Sequence, residues 1–361
     1  MRKVALIHYW LTNMRGGENV VAEFCRLFPE ADIFTHAWNP EKVKEPFNTH
    51  RITETFIGKL PRARKNCQVY LPLMPSAISR LDLSGYDLIL SSESGPCKGI
   101  RKPAGARHVC YCHTPMRYVW DMFDDYYRAT GLCGKIAMLT FKNYLRRYDL
   151  RSAESVDQFI ANSAFVAQRI KRIYGRDSIV VHPPVDTDYF VREDTDEPKG
   201  YYLFAGQLIS YKRPDLALRA CLKMNRKLVL VGDGPMRRQL EKEAAGNPDI
   251  VFAGRAARPQ LRKYYAEAKA LIFPGIEDFG IVPLESQSVG VPVIALGKGG
   301  ALETVVADKT GIFFPEPTVD SLCQAMEEFE SRCFDRETVI AHAREFHREI
   351  FLRKMREVLG V

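Results

Sequence analysis

The sequence has no apolar stretch approaching the roughly 20 residues that a membrane-spanning helix needs. Its opening, Met1 to Trp10, carries charge and then an apolar run too short for a signal peptide, so a first strand is expected there. Paired Cys/His clusters are missing as well. The nine cysteines are odd in number and scattered, which fits free buried thiols in a reducing cytoplasm. Cys110-Tyr111-Cys112-His113 has no second cluster at zinc-ligand spacing, and strand alternation sends Cys110 and Cys112 to one face. A buried strand face is expected, and no metal site. Neither a G-x-G-x-x-G nor a G-x-x-x-x-G-K-[ST] occurs, and no nucleic-acid motif, aromatic stacking platform or internal repeat is evident. These absences argue against a membrane channel, a disulfide scaffold, a zinc module and a nucleic-acid reader.

What is present is a chain of 361 residues with 46% apolar and 27% charged content, long enough that two domains are expected. The net charge of +8 resides in the first half, where residues 1–187 hold 27 Lys+Arg against 18 Asp+Glu. That asymmetry points to an anionic partner for this half, either a membrane surface, a phosphorylated substrate or nucleic acid.

Strand-like runs alternate with amphipathic helices, the grammar of a parallel α/β sheet. The first series is Lys3–Tyr9, Ala31–Thr35, Tyr86–Ser91, Arg107–Cys112, Gln158–Ala161 and Ser178–His182. Gly16-Gly17 reads as a loop before a helix from Glu18 to Phe28, and Ser163 as the N-cap of a helix over Ala164–Tyr174. An acidic, proline-bounded stretch from Pro184 to Lys199 reads as a linker. A second series follows at Tyr201–Ala205, Lys227–Val231, Ile250–Ala253, Ala270–Phe273, Pro292–Leu296 and Gly311–Phe314. Thr318 would cap a helix to Glu330, and a last helical run from Arg336 to Leu359 is long enough to pack back onto the first domain. The expected division is 1–187, 188–340 and a C-terminal helix at 341–361.

Ligands of open α/β sheets bind at the C-terminal ends of strands. There stands Pro274-Gly275-Ile276-Glu277-Asp278-Phe279-Gly280-Ile281-Val282-Pro283-Leu284-Glu285. Pro283 suits a first helical turn, and Glu285 would lie in that turn beside free backbone N–H groups. Gly275 and Gly280 would leave room for a ligand near the backbone. Two carboxylates eight apart recur by chance about five times in a chain with 44 acidic residues, so context carries the signal. Gly206-Gln207-Leu208-Ile209-Ser210-Tyr211-Lys212-Arg213-Pro214 brings two cations to a helix start, where they could meet phosphates. Gly232-Asp233-Gly234-Pro235 and Gly254 are plain turns or leave space for a flat base. His113-Thr114-Pro115-Met116-Arg117 puts a histidine and an arginine on the rim, suited to substrate hydroxyls or a phosphate. In the basic half, Lys135–Arg151 as a helix places Met138, Phe141, Leu145 and Tyr148 on one stripe and Lys135, Lys142 and Arg146 on another. Such a helix either lies on an anionic bilayer or faces a core with its basic side solvated.

With these residues in view, the chain resembles the retaining glycosyltransferases of family 4. The elements are Gly16-Gly17-Glu18, His113-Thr114-Pro115, the Gly206 to Lys212 loop, Gly232-Asp233-Gly234-Pro235, Gly254, and Glu277-Asp278-Phe279-Gly280 with Glu285. The His-Thr-Pro-Met-Arg-Tyr and Gly-Gln-Leu-Ile-Ser-Tyr-Lys-Arg-Pro-Asp forms are most similar to bacterial O-antigen and capsule mannosyltransferases. The resemblance implies the GT-B fold, two Rossmann-like doubly wound domains facing a central cleft. It also implies a nucleotide-sugar donor held mainly by the second domain and an acceptor held by the first. Carried over by position, Glu285 would bind the ribose diol and Glu277 the hydroxyls of the donor sugar. Amides of Phe279, Gly280, Ile281 and Val282 would meet sugar and phosphate. Lys212 would neutralise the diphosphate, Gly16 and Gly17 would let backbone N–H groups reach it, and His113 would touch the sugar near the reacting carbon. Arg117 would serve the acceptor. The family usually has Arg where Gln207 stands; a neutral amide cannot neutralise leaving-group charge, which makes Arg213 the candidate replacement.

The implied reaction is transfer of a hexose, mannose from GDP-mannose in the first instance, to a lipid-linked saccharide or polysaccharide in bacterial surface-glycan synthesis. It would take place without metal at the inner face of the cell membrane. Lys212 and helix amides would stabilise the departing diphosphate. Glu277 and Glu285, assigned to hydroxyls, would not form a glycosidase-like acid and nucleophile pair. The rivals are a UDP-sugar transferase of the same family, an epimerase or hydrolase on the same fold, and a nucleotide-binding regulator without turnover.

Overall fold

The computed structural model describes residues 2–193 and 197–361. Among these residues the chain divides into two compact units. One runs to Pro184 and takes back Leu352–Val361, and the other is Val185–Phe351.

The first unit contains β1 (Val4–His8), β2 (Asp32–Thr35), β3 (Ile52–Glu54), β4 (Leu88–Glu93), β5 (Arg107–Cys112), β6 (Gln158–Ala161) and β7 (Ser178–Val180). They form a parallel sheet in the order β3-β2-β1-β4-β5-β6-β7. The second contains β8 (Tyr202–Ala205), β9 (Leu228–Val231), β10 (Ile250–Gly254), β11 (Ala270–Phe273), β12 (Val293–Leu296) and β13 (Gly311–Phe314), parallel in the order β10-β9-β8-β11-β12-β13. Each sheet is doubly wound, and its order reverses once, at β1/β4 in the first and β8/β11 in the second. Loops leaving strands on the two sides of such a reversal diverge and leave a crevice for ligands.

Parallel strands covered by helices on both faces read as apolar runs, and those of the second sheet do. In the second sheet Leu228 and Leu230 pack with Tyr202, Ile272 and Ile294 on one face. Val229 and Val231 pack with Leu203, Leu271 and Val293 on the other. Cys110 and Cys112 share a face with Phe159, Val166 and Ile170, as strand alternation requires.

Local signals set several boundaries. Ser163 accepts a hydrogen bond from the Val166 N–H, and Thr318 one from Ser321, capping helices Ala164–Tyr174 and Val319–Glu330. Elsewhere tertiary context overrode the pattern. Strand β3 was not expected from the sequence; it is short, on a sheet edge, and paired only to β2. Gly16 and Gly17 are the first two residues of helix Gly16–Leu27 rather than a loop before it. The C-terminal run is two helices, Arg336–Arg344 and Arg348–Leu359, because the chain breaks at Phe346, which is buried against Phe279 and Leu284. Of the expected linker, Asp194, Thr195 and Asp196 lie outside the described residues. Its first part is packed, with the Val185 N–H bonded to the Phe346 carbonyl at 2.9 Å and Phe190 buried in the second core.

Candidate functional site

In the second unit the strand-order reversal brings together the turn after β8 and the loop after β11. Gly206 has φ +150°, and β8 passes through it into a short helical turn, Ser210–Lys212. The loop after β11 lies directly on that turn. A Cβ on Gly275 would meet the Lys212 Cα and the Tyr211 carbonyl oxygen at 2.7 Å. The space expected to be left for a ligand at Gly275 is therefore taken by protein backbone, and the consequence is contact between the two loops. Lys212 Nζ donates to Glu277 Oε1 at 2.7 Å, with both side chains largely screened from solvent.

Glycine does the same work on the other side of Glu277. Gly300 donates its N–H to the Glu277 carbonyl at 2.8 Å, and a Cβ there would strike the Phe279 backbone at 2.2–2.5 Å. Gly280, at φ +106°, caps helix Ile281–Ser288. That helix starts two residues earlier than Pro283 suggested. Glu285 is its fifth residue, past the free amides, and the first-turn placement is corrected accordingly. Its Oε2 accepts from the Tyr265 hydroxyl at 2.8 Å. Glu285 keeps a partly accessible side, yet burial pushes its carboxyl up to about 7, against the pull of Tyr265 and of the more distant Arg258 and Lys212 cations. Phe279 is buried on Phe346 and Leu284, while Ile281 and Val282 pack partly inward, so what these residues offer a ligand is backbone.

Arg213 is differently employed. At φ +55° it caps helix Pro214–Met224, and its guanidinium is shared between Asp215, at 3.0 and 3.1 Å, and the Pro317 carbonyl. A cation so engaged is a poor stand-in for the arginine missing at Gln207, whose side chain is exposed. Gly232 and Gly234 prove to be packing glycines. A Cβ on Gly232 would lie 1.8 Å from the Gly206 carbonyl oxygen, and one on Gly234 2.4 Å from that of Leu208. Gly254, at φ +69°, follows in the same row, its carbonyl accepting the Gly232 N–H at 2.7 Å.

In the first unit the corresponding reversal joins the ends of β1, β4 and β5. The first bond within helix Gly16–Leu27 runs from Asn19 to the Arg15 carbonyl, so the amides of Gly16, Gly17 and Glu18 precede the ladder. A Cβ on Gly17 would face Tyr9 Oη at 3.3 Å, His8 Cε1 at 3.5 Å and His113 Nε2 at 3.6 Å, leaving no room for a longer side chain. His113 Nε2 bonds Ser92 Oγ at 2.8 Å, and Ser92 Oγ bonds His8 Nδ1 at 3.1 Å. Burial, with His8 and then Arg117 nearby, holds His113 down to about 3, so its imidazole is neutral. The sequence singled out His113 but missed His8 and Ser92. The only available signal was that each stands at the end of a strand flanking the order reversal, and strand order is not legible in one sequence.

Helix Leu132–Glu154 carries the first unit's basic amphipathic stretch, but its faces differ from the expected ones. Leu145 and Tyr148 pack inward with Met116 and Val119. Lys142 lies 3.6 Å over the Phe123 ring, Arg146 4.8 Å over Trp120 and Lys135 5.5 Å over Tyr127, so these cations serve neighbouring aromatics. The open face is instead apolar, with Leu132, Ile136 and Leu139 at helical spacing and 75%, 58% and 57% exposed. Exposed Arg128, Arg147 and Arg151 accompany it. Among the described residues no helix is long and apolar enough to cross a membrane.

Two sequence families match successive parts of the chain. "Glycosyltransferase Family 4" covers residues 14–189 and "Glycosyl transferases group 1" residues 185–346. A curated relative, D-inositol 3-phosphate glycosyltransferase of Kribbella flavida, is 29% identical over 231 residues, 55% of this chain and 54% of its own. The chain spans about half the length of the curated relatives it matches. Among solved structures, HepE of Anabaena in complex with UDP and glucose superposes with a TM-score of 0.75 at 16% identity, over 100% of both chains. Sucrose-phosphate synthase of Thermosynechococcus elongatus does so with a TM-score of 0.75 at 18% identity, over 100% of this chain and 98% of that one. At such identity the likeness shows the fold, which is the GT-B type with two Rossmann-like units.

Proposed function

Because the chain belongs to glycosyltransferase family 4, we propose that it transfers a hexose from a nucleotide-sugar donor, with retention, to a saccharide acceptor. The observation that carries this reading is the Lys212–Glu277 pair at the order reversal of the second sheet. A cation there, opposite a helix N-terminus, suits a diphosphate. Donor binding replaces Glu277 with the diphosphate as the partner of Lys212 and frees the Glu277 carboxylate for sugar hydroxyls. Glu285, one helical turn further on, takes the two ribose hydroxyls. Lys212 and the amides from Phe279 to Val282 then stabilise charge on the departing diphosphate, worth several kcal/mol when such groups are fixed beforehand, on the order of 3 for a single donor. With Arg213 held by Asp215, Lys212 carries most of this side-chain charge.

The acceptor is assigned to the first unit, where Arg117 serves its hydroxyls, while neutral His113 touches the sugar near the reacting carbon. The transferred sugar is proposed as mannose from GDP-mannose, on the sequence likeness to mannosyltransferases, and the acceptor as a lipid-linked saccharide. The exposed Leu132, Ile136 and Leu139 with their neighbouring arginines favour contact with an anionic membrane surface. The likeness to a HepE structure that holds UDP and glucose supports a second reading, a UDP-hexose donor.

A thermal-shift panel of GDP- and UDP-sugars decides between the two donors, since a ligand that binds only the native state raises the melting temperature with its affinity. Donor consumption measured with and without a saccharide acceptor then tests the reaction. Consumption that requires acceptor supports transfer. Consumption without it indicates a hydrolase or epimerase, and binding without any turnover indicates a regulator.

A further inference from the structure

We infer that Glu18, His8 and Ser92 are positioning residues that fix which ring nitrogen of His113 carries its proton, leaving Nδ1 as an acceptor for a ligand hydroxyl. Parallel pairing of β1 and β4 sets His8 opposite Ser92, so the backbone register itself puts these two side chains next to each other. Glu18 approaches from the first turn of helix Gly16–Leu27, where a carboxylate is favoured by the helix dipole. All three side chains are buried.

His8 Nε2 lies 3.8 Å from Glu18 Oε1, and among the described residues neither His8 Nε2 nor Glu18 Oε2 has a hydrogen-bond partner. A carboxylate only accepts, so the proton of a neutral His8 ring belongs on Nε2, facing it. His8 Nδ1 is then bare and must accept from the Ser92 hydroxyl, 3.1 Å away. A serine has one proton to give. With that proton spent on His8, Ser92 Oγ can only accept from His113, so the proton of His113 sits on Nε2 at 2.8 Å. Burial keeps the His113 ring neutral, and a neutral ring with a proton on Nε2 has a lone pair on Nδ1. One carboxylate thus sets the direction of two successive hydrogen bonds, the one between His8 and Ser92 and the one between Ser92 and His113.

The consequence for recognition rests on the transferase reading: His113 would take a proton-donating hydroxyl of the sugar or acceptor, and would not donate to a ring oxygen or phosphate. The tautomer itself is independent of that reading and is measured without any donor. Long-range proton–nitrogen spectra of the full chain labelled with ¹⁵N-histidine should show His113 protonated at Nε2. Glu18→Gln, whose amide both donates and accepts, should release the constraint and give a mixture of tautomers at His113, while Glu18→Asp keeps one. Ser92→Ala should give the mixture as well, and Ser92→Thr should restore a single form. A wild-type His113 protonated at Nδ1, or an unchanged Nε2 tautomer in folded Glu18→Gln, overturns the assignment. Where Glu18→Gln does not fold, an unchanged tautomer in Ser92→Ala does the same. In a transfer assay Glu18→Gln should lower kcat/KM by about tenfold, the worth of one misdirected hydrogen bond, with Glu18→Asp close to wild type. A single Nε2 tautomer in a protein that transfers no sugar would support the chain of hydrogen bonds and sink the transferase reading alone.

Discussion

Gly275 and Lys212 touch through their backbones: a Cβ on residue 275 would sit 2.7 Å from the Lys212 Cα. Glu277 reaches Lys212 because its loop can lie against the turn after β8, and that approach depends on the missing side chain. Gly275→Ala should therefore act through sterics, since no positive φ is involved there. Overpacking of this kind costs about 1–3 kcal/mol. The expected result is a lower melting temperature together with a loss of donor-induced stabilisation, checked by thermal melts with and without nucleotide-sugar.

Lys212 and Glu277 themselves should separate stability from activity. Their ion pair is partly solvated, and such pairs contribute about 0–1 kcal/mol to folding. Lys212→Ala and Glu277→Ala are thus expected to melt within a few degrees of the wild type. If Lys212 stabilises the leaving diphosphate, transfer should fall by about 10²–10³ in each variant, as when a fixed electrostatic donor is removed elsewhere. Near-normal turnover in a folded Lys212→Ala protein would remove it from the proposed mechanism.

The strands that carry these loops were legible in the sequence because parallel strands buried on both faces read as short apolar runs. Arg107–Cys112, Gln158–Ala161, Ala270–Phe273 and Gly311–Phe314 stand where those runs placed them. The edge strand Ile52–Glu54 carries only partly buried side chains and gave no such signal. Site residues on the rim loops were legible by position after a strand. What each glycine does there was not, since Gly232 meets Gly206 and Gly300 meets Phe279 across long sequence separations. The faces of helix Leu132–Glu154 were misassigned for a related reason. Lysines and arginines that look solvated in a helical wheel bend onto Phe123, Trp120 and Tyr127 once the preceding segment packs beside them.

Glu285 should give the protein a pH signature. Its folded carboxyl titrates at about 7 against an ordinary 4.5, so the folded state prefers the proton. Stability is lost as pH rises from about 4.5 through about 7, and Glu285→Gln should remove that loss. The variant is expected to match the wild type at pH 4.5 and to exceed it at pH 8 by roughly 1–2 kcal/mol, after discounting for the solvent-facing side of the group. Donor binding should run the other way. A ribose diol needs both carboxylate oxygens as acceptors, so affinity should weaken below pH 7, by up to about tenfold per unit. Melting curves and nucleotide titrations between pH 5 and 8 check both, and a Glu285→Gln protein that binds donor as the wild type does would end the ribose assignment.

Lys98 is a sterner test of how the first unit holds its site. Its ammonium is fully buried, bonded to Glu93 at 3.2 Å, to Asp149 and to the Tyr174 hydroxyl at 3.3 Å. Trp120 Nε1 donates to the other Asp149 oxygen at 2.7 Å, and the backbone N–H groups of Cys97 and Lys98 donate to Glu93. Burial alone would strip the proton from Lys98, but the Asp149 and Glu93 carboxylates outweigh it and hold the amine well above its ordinary value. The network ties the end of β4 to helix Leu132–Glu154, and the Glu93 carbonyl accepts the His113 N–H at 2.8 Å. Lys98→Met leaves two carboxylates buried without their cation, a loss of about 3–5 kcal/mol. In a unit of this size that corresponds to a fall in melting temperature of roughly 10 °C. Because unpaired buried carboxylates take up protons, the deficit should shrink as pH falls from 7 to 5. Adding Asp149→Asn should recover part of it at pH 7. A Lys98→Met protein as stable as the wild type at pH 7 would mean that the carboxylates find solvent or another partner, and that the end of β4 does not depend on the Lys98 network.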